Sequence, residues 1–140
     1  MKTLLITLFL STTCFAQVQI RTRTVLQFGS LEKKLAMAED PAARGSFLTD
    51  DFEERLCAEP GTPVARDQWL QAPATHLSLT QEAVHDYGDI ALYSAFGTNG
   101  DKHLTLVDIW KKQDEDWKLA VRYLCPATGT KPESSIPKRY

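Results

Sequence analysis

Asp108 is the residue of this 140-residue chain with the clearest chemical potential, because it shares strand parity with Leu104, Leu106 and Trp110. Successive strand side chains point to opposite faces, so this alternation sets a carboxyl group among apolar neighbours. Desolvation of that kind raises a carboxyl pKa and suits it to donate a proton or a hydrogen bond. Tyr123 lies on the following strand, at the parity of Leu119 and Val121, and pairs with Asp108 as a second hydrogen-bond donor. Glu59, before Pro60-Gly61, offers a further carboxylate as proton partner. Against these roles stand ordinary ones: a structural aspartate satisfied by its neighbours, a core tyrosine, a solvated turn glutamate. Trp69, Tyr93 and Trp110 are the aromatic candidates for the walls of an apolar ligand pocket.

Other chemistry is poorly represented. His76, His85 and His103 lack a second ligand at i+2 or i+4, so no metal is expected. Cys57 has no basic neighbour to activate it as a nucleophile. No phosphate-binding glycine loop or nucleotide fingerprint occurs, and no cofactor is expected. Arg122 shares parity with Lys118, which directs it toward solvent or a second subunit.

The elements that must position these residues are legible from period and turn chemistry. Apolar alternation marks strands over residues 90–96, 104–110 and 117–125, joined by turns at Thr98-Asn99-Gly100-Asp101 and Gln113-Asp114-Glu115-Asp116. A strand over residues 77–87 precedes them, with a tight turn at Gly88-Asp89, and another is expected over residues 52–58. Upstream, Phe28, Leu31, Leu35 and Ala38 fall on one side of a helix over residues 25–39. Asp40-Pro41 is an N-cap followed by a first-turn proline, which starts a second helix running to about Leu48. A short helix over residues 65–71 carries Trp69. Helices followed by a strongly curved antiparallel sheet make an α+β plan in which the helices cover one sheet face and a cone with a pocket results.

At the N-terminus, residues 1–16 combine Lys2, an apolar run from Leu4 to Leu10 and small residues before Gln17. This is the grammar of a secretory signal peptide cut near Ala16. A run of roughly ten apolar residues is too short for a bilayer core that needs about twenty, so no stable membrane insertion is expected. The expected organisation is a signal peptide (1–16), a lead-in (17–24), one domain (25–126) and a flexible tail (127–140). Loss of Lys2 with the signal would take the formal net charge of −2 one unit more negative. The absence of a basic face argues against a nucleic-acid partner. Secretion to the periplasm or beyond would allow Cys57 and Cys125 to form a disulfide, with two separate thiols as the alternative.

Several short segments in this order resemble the nuclear transport factor 2-like superfamily, in particular its small bacterial SnoaL-like and ketosteroid-isomerase-like domains. They are Leu31-Glu32 with Ala36 and Ala38, Leu48-Thr49-Asp50-Asp51-Phe52, Tyr87-Gly88-Asp89-Ile90-Ala91, Val107-Asp108-Ile109-Trp110 and Trp117-Lys118-Leu119-Ala120-Val121. The resemblance implies a cone-shaped α+β barrel, of the cystatin-like type, opening on an apolar pocket. It implies no single activity, since the scaffold hosts isomerases, cyclases, hydratases, binding modules and dimerisation domains. Asp108 matches the aspartate that stays protonated in ketosteroid isomerases and donates to the developing oxyanion. Glu59 before Pro60 stands near the place of their base, though the segment from Asp51 is about three residues longer here. Their helix-one tyrosine has no counterpart, and its place falls at or near Glu32, which argues against steroid isomerisation. Tyr123 stands where many SnoaL-like domains carry His or Gln. The expectation is a secreted module that binds a small apolar or amphipathic molecule and forms a homodimer through its sheet. The alternative is a cofactor-free isomerase, cyclase or dehydratase using Asp108 as acid or oxyanion donor.

Overall fold

The structure, a computed structural model, describes residues 24–59 and 61–127. The expected signal peptide and almost all of the expected lead-in and tail lie outside these residues. A helix, α1, covers residues 24–37. Phe28, Glu32 and Leu35 are its buried positions, at the i, i+4, i+7 spacing of one helical face. A charged residue therefore interrupts the apolar stripe that faces the core.

Asp40 caps the next helix, α2 (Pro41–Gly45), accepting a hydrogen bond from Ala43 N at 2.8 Å, with Pro41 in the first turn. The helix stops sooner than expected because the chain turns at Ser46 and enters β1 (Leu48–Leu56) four residues before the anticipated strand start. After a turn come β2 (Val64–Ala65) and α3 (Arg66–Gln71), then β3 (Ser78–Asp86), β4 (Ile90–Asn99), β5 (Lys102–Gln113) and β6 (Asp116–Pro126). Both expected hairpins form with two-residue turns. Gly100 (φ +58°) and Asp114 (φ +54°) adopt the left-handed backbone that such turns demand.

The six strands form one curved sheet in the order β2-β1-β6-β5-β4-β3. It is mixed, where a purely antiparallel sheet was expected: β1 runs parallel to β6, and every other pair is antiparallel. The exception has a simple cause. On that side β1 lies beside the last strand of the chain, far from it in sequence, so no hairpin dictates the direction of this pairing. The core lies between the inner sheet face and the helices, built on Phe28, Leu35, Phe52, Tyr93, Leu106, Trp110 and Leu119.

One irregularity decides which side chains reach that core. From the β5–β6 turn, Trp110 pairs with Leu119, but Ile109 pairs with Val121, which leaves Ala120 as an extra residue in β6. Such a β-bulge shifts the side-chain alternation by one. Leu119 faces inward before it, and Arg122 and Leu124 face inward after it, while Val121 and Tyr123 turn to the outer face. The period-2 reading of β6 as uniform placed Arg122 outward and Tyr123 inward, and the bulge reverses both.

Cys57 and Cys125 form a disulfide with a Cα–Cα separation of 4.8 Å, tying the end of β1 to the end of β6. Cys57 N also donates to Leu124 O at 3.0 Å, so the covalent and hydrogen-bonded links coincide. Closing a loop with a separation of 68 residues restricts the unfolded chain. Replacing both cysteines by serine is expected to cost about 2–4 kcal/mol, read as a lower urea midpoint than the oxidised parent with unchanged far-ultraviolet circular dichroism.

Candidate functional site

A single row of side chains crosses the inner face of the sheet. The register aligns Val84 of β3, Tyr93 of β4, Asp108 of β5, Arg122 of β6, Glu54 of β1 and Val64 of β2. Three adjacent members of that row are charged. Asp108, 0% exposed, receives the Arg122 guanidinium side-on: Nε at 3.0 and 3.2 Å from its two oxygens and Nη2 at 2.5 Å from Oδ2. Helix α1 supplies a second acceptor from above, Glu32 Oε2, at 2.7 Å from the same Nη2. One guanidinium thus serves two fully enclosed carboxyls, with a third, Glu54, beside it on the parallel strand.

The electrostatics follow from this count. Burial lifts the Glu32 carboxyl well above the usual carboxylate range, and the Asp108 charge pushes the same way against the opposing pull of Arg122. Glu54 is also raised by burial, while a hydrogen bond from Trp69 Nε1 at 2.9 Å works to keep it ionised. Burial opposes the charge on Arg122, but Asp108 and Glu32 outweigh it and hold the guanidinium protonated. Tyr93 completes the row on the far side. Burial, followed by the charge and hydrogen-bonding pull of the nearby Glu82, raises its hydroxyl.

Over Arg122 and Glu54 lies a cavity of about 310 Å³ between the sheet, α1, α3 and the segment 72–79. This is at the small end of ligand pockets, which run about 300–1,000 Å³. Leu35, Leu77, Leu79, Leu106 and Leu124 give it apolar walls, and Glu32, Arg44, Glu54 and Arg122 its charged groups. Trp69 forms one side, fixed edge-on against Phe52 with ring centroids 5.2 Å apart and by its bond to Glu54. Arg44 is pinned behind it by the carbonyls of Leu70 (2.6 Å) and Ala72 (3.0 Å), its guanidinium 5.4 Å from the indole centroid. Its charge therefore fastens α2 to the end of α3. Glu32 Oε1 is enclosed and has no hydrogen-bond partner among the described residues.

The residues singled out from sequence are dispersed by the fold. Asp108 lies beneath Arg122 and does not line the cavity. Tyr123 lies opposite Val107 on the outer face, so the expected Asp108/Tyr123 pair does not form. Glu59 is exposed in the turn after β1. Tyr93 and Trp110, both 0% exposed, belong to the packed core, with Trp110 against Phe28 at 6.1 Å. Of the three aromatic candidates, Trp69 reaches the cavity. Glu32, Glu54 and Arg122 were not candidates. Glu54 shares strand parity with Phe52 and Leu56, a signal as good as the one that picked out Asp108. Arg122 was hidden by the bulge, and Glu32 had drawn notice as the place of a missing tyrosine. Among the described residues no group of His, Cys, Asp and Glu has the makings of a metal site.

No protein-family profile matches the chain, and no curated protein matches it significantly. Solved structures do. An NTF2-like protein from Cytophaga hutchinsonii superposes with a TM-score of 0.61 at 18% identity, over 74% of this chain and 97% of that one. The fold is nuclear transport factor 2-like. A Parabacteroides distasonis protein provisionally named a ketosteroid isomerase matches with TM-score 0.56 at 19% identity, over 75% of this chain and 86% of that one. A Streptomyces avermitilis member of the NTF2-like family, provisionally named a dehydratase, gives 0.60 at 18%, over 77% and 99%. At such identities the NTF2-like architecture is shared, and the buried row has to be read for itself.

The triad predicts an asymmetric response to mutation. Arg122→Met strands Asp108 and Glu32 without a counter-charge, and losing one side of a buried ionic cluster costs about 3–5 kcal/mol. Glu32 contributes a pH dependence that its own substitution isolates. Its folded pKa exceeds the unfolded one, so the folded state binds the extra proton. The resulting stability is complete below the ordinary glutamate pKa and lost as pH rises toward the raised value. Urea unfolding at pH 5 and pH 8 is expected to show Glu32→Gln gaining on the parent at the higher pH. A difference independent of pH would contradict the raised carboxyl.

Proposed function

We propose that this NTF2-like chain is a small-molecule-binding module whose ligand sits in the cavity over Arg122 and Glu54. The observation that carries the reading is the combination of mainly apolar walls with a charged floor anchored by the Arg122–Asp108 pair. Such a floor orients one end of an amphipathic molecule, while the leucines and Trp69 take the other. The Cys57–Cys125 disulfide and the signal-like residues 1–16 support a secreted or periplasmic setting, where such a bond persists. Among the described residues no helix is long and apolar enough to cross a membrane.

Cofactor-free acid–base catalysis is the second reading, and Glu32 favours it in place of Asp108. A carboxyl raised by burial and lining an apolar cavity is suited to proton transfer, and Glu54 is a second carboxyl on the same cavity. Proteins of this fold have been provisionally named isomerase and dehydratase. The two readings separate on whether a bound compound is turned over.

The outer sheet face supports the homodimer. Leu92, Ile109 and Val121 align across β4, β5 and β6, with Val107 and Tyr123 in the neighbouring row, and all are half-buried in a single protomer. A strip of this composition is suited to cover by a second copy.

Two experiments test these readings. Leu79→Trp fills the cavity from its wall, so compounds that raise the melting temperature of the parent in a small-molecule screen are expected to lose that effect while the fold persists. Retained stabilisation would place the ligand elsewhere. Ile109→Glu puts a charge in the outer strip and is expected to turn a dimeric parent monomeric in sedimentation equilibrium. A monomeric parent at high micromolar concentration would dismiss the dimer.

A further inference from the structure

The charges around the cavity do not balance. Glu32, Glu54, Arg44 and Arg122 line it and Asp108 lies directly beneath, so three carboxyls face two guanidiniums. Arg44 is engaged by backbone carbonyls, and the Arg122 Nε and Nη2 groups are committed to Asp108 and Glu32. Among the described residues Glu54 is held through Oε2, by Trp69 Nε1. Glu32, 4% exposed, has Oε1 without any partner among the described residues. Buried acceptors left unsatisfied cost about 1–3 kcal/mol each, more when charged, so a ligand that satisfies them gains that difference.

We propose that the molecule bound in this cavity is a small organic cation, an amine on a compact apolar body, whose ammonium group is received by Glu54 and Glu32 while its body lies against Trp69 and the leucines. This rests on the binding reading above and specifies its ligand class. A monocation supplies the one positive charge that the all-ionised site lacks, and it brings up to three N–H donors to Glu54, whose Oε1 makes no hydrogen bond among the described residues, with the Glu32 charge beside it. Arg122 Nη1 makes no hydrogen bond among the described residues, so an anion is the competing occupant and is the alternative that the acid probe tests. A neutral ligand would leave one carboxyl to be quenched by a proton. In the empty cavity that quenching is what burial favours at both glutamates. A bound ammonium reverses it, so binding releases a proton and tightens as pH rises toward neutrality. The Tyr93 hydroxyl, also near this cluster, stays neutral throughout, since burial and Glu82 raise it.

The test compares three probes of one shape, 2-phenylethylamine, 2-phenylethanol and phenylacetate, by the shift of the Trp69 Nε1–H resonance in the full oxidised protein. At pH 7.5 the amine is expected to bind at least tenfold more tightly than the alcohol or the acid, and severalfold more weakly at pH 5. Glu54→Gln, which keeps an acceptor for Trp69 Nε1 and removes the charge, is expected to bring amine and alcohol within about threefold of each other. Glu32→Gln should act in the same direction. Equal or tighter binding of the alcohol or phenylacetate, with the Trp69 signal still moving, overturns the cation and leaves the pocket standing. An amine preference unchanged in both variants overturns its assignment to these carboxyls. If no probe moves Trp69 at millimolar concentration, the cation and the pocket fall together.

Discussion

The interior of this protein is organised around one guanidinium. Arg122 lies in the middle strand of the three that carry the charged row, and its nitrogens donate to both Asp108 and Glu32. Bringing these ions in from water is expensive, and mutual attraction offsets the cost when geometry is good and few polar atoms remain unpaired. Here the geometry with Asp108 is side-on and complete, whereas Glu32 is held through one oxygen. The stable part of the cluster is therefore the cross-strand pair, and Glu32 is its adjustable member. That division matters for the cavity, because the adjustable carboxyl is the one that lines it.

The cluster exists because β6 contains one residue too many. Without Ala120 as a bulge, Arg122 would face outward and the inner face opposite Asp108 would be Val121. Buried Asp108 would then lack a partner, with a desolvation cost far beyond the local cost of a bulge. The same bulge sends Tyr123 to the outer face, where it joins Val107, Ile109 and Val121 in an apolar strip. One irregularity thus separates a polar inner site from an apolar outer face, and the two faces become available for different purposes.

How far the sequence discloses this depends on the physical range of each signal. The hairpins are local: turn residues such as Asn99-Gly100 and Asp114-Glu115 stand beside the alternating segments they join, and both formed as read. The Asp40 cap is likewise local. The parallel pairing of β1 with β6 is not, since nothing in either strand's own residues specifies direction. The bulge leaves no glycine or proline to mark it, and its only trace is the small apolar Ala120 between Leu119 and Val121, where alternation would place a polar residue. A complementary signal was nevertheless present. A carboxylate read as buried at Asp108 demands a counter-charge, and Arg122 is a cation on the adjacent strand within a residue of facing it. Charge satisfaction would have found the register that periodicity missed.

Glu32 shows why likeness of fold carries so little chemistry. On the first helix of this NTF2-like scaffold, the place where a resemblance to ketosteroid isomerases calls for a tyrosine holds a carboxyl. That exchange alters more than one donor. A tyrosine hydroxyl is neutral at any ordinary pH, so the aspartate below it can stay protonated and neutral with it. A glutamate at the same place brings potential charge, and this chain answers with Arg122, which binds Asp108 from the side and takes it out of service. The consequence propagates along the row. Once a guanidinium stands between Asp108 and β1, Glu54 becomes tolerable on the neighbouring strand, and Trp69 gains the acceptor that fixes its indole at the cavity. What distinguishes this cavity is thus a connected set of residues, each made affordable by the previous one.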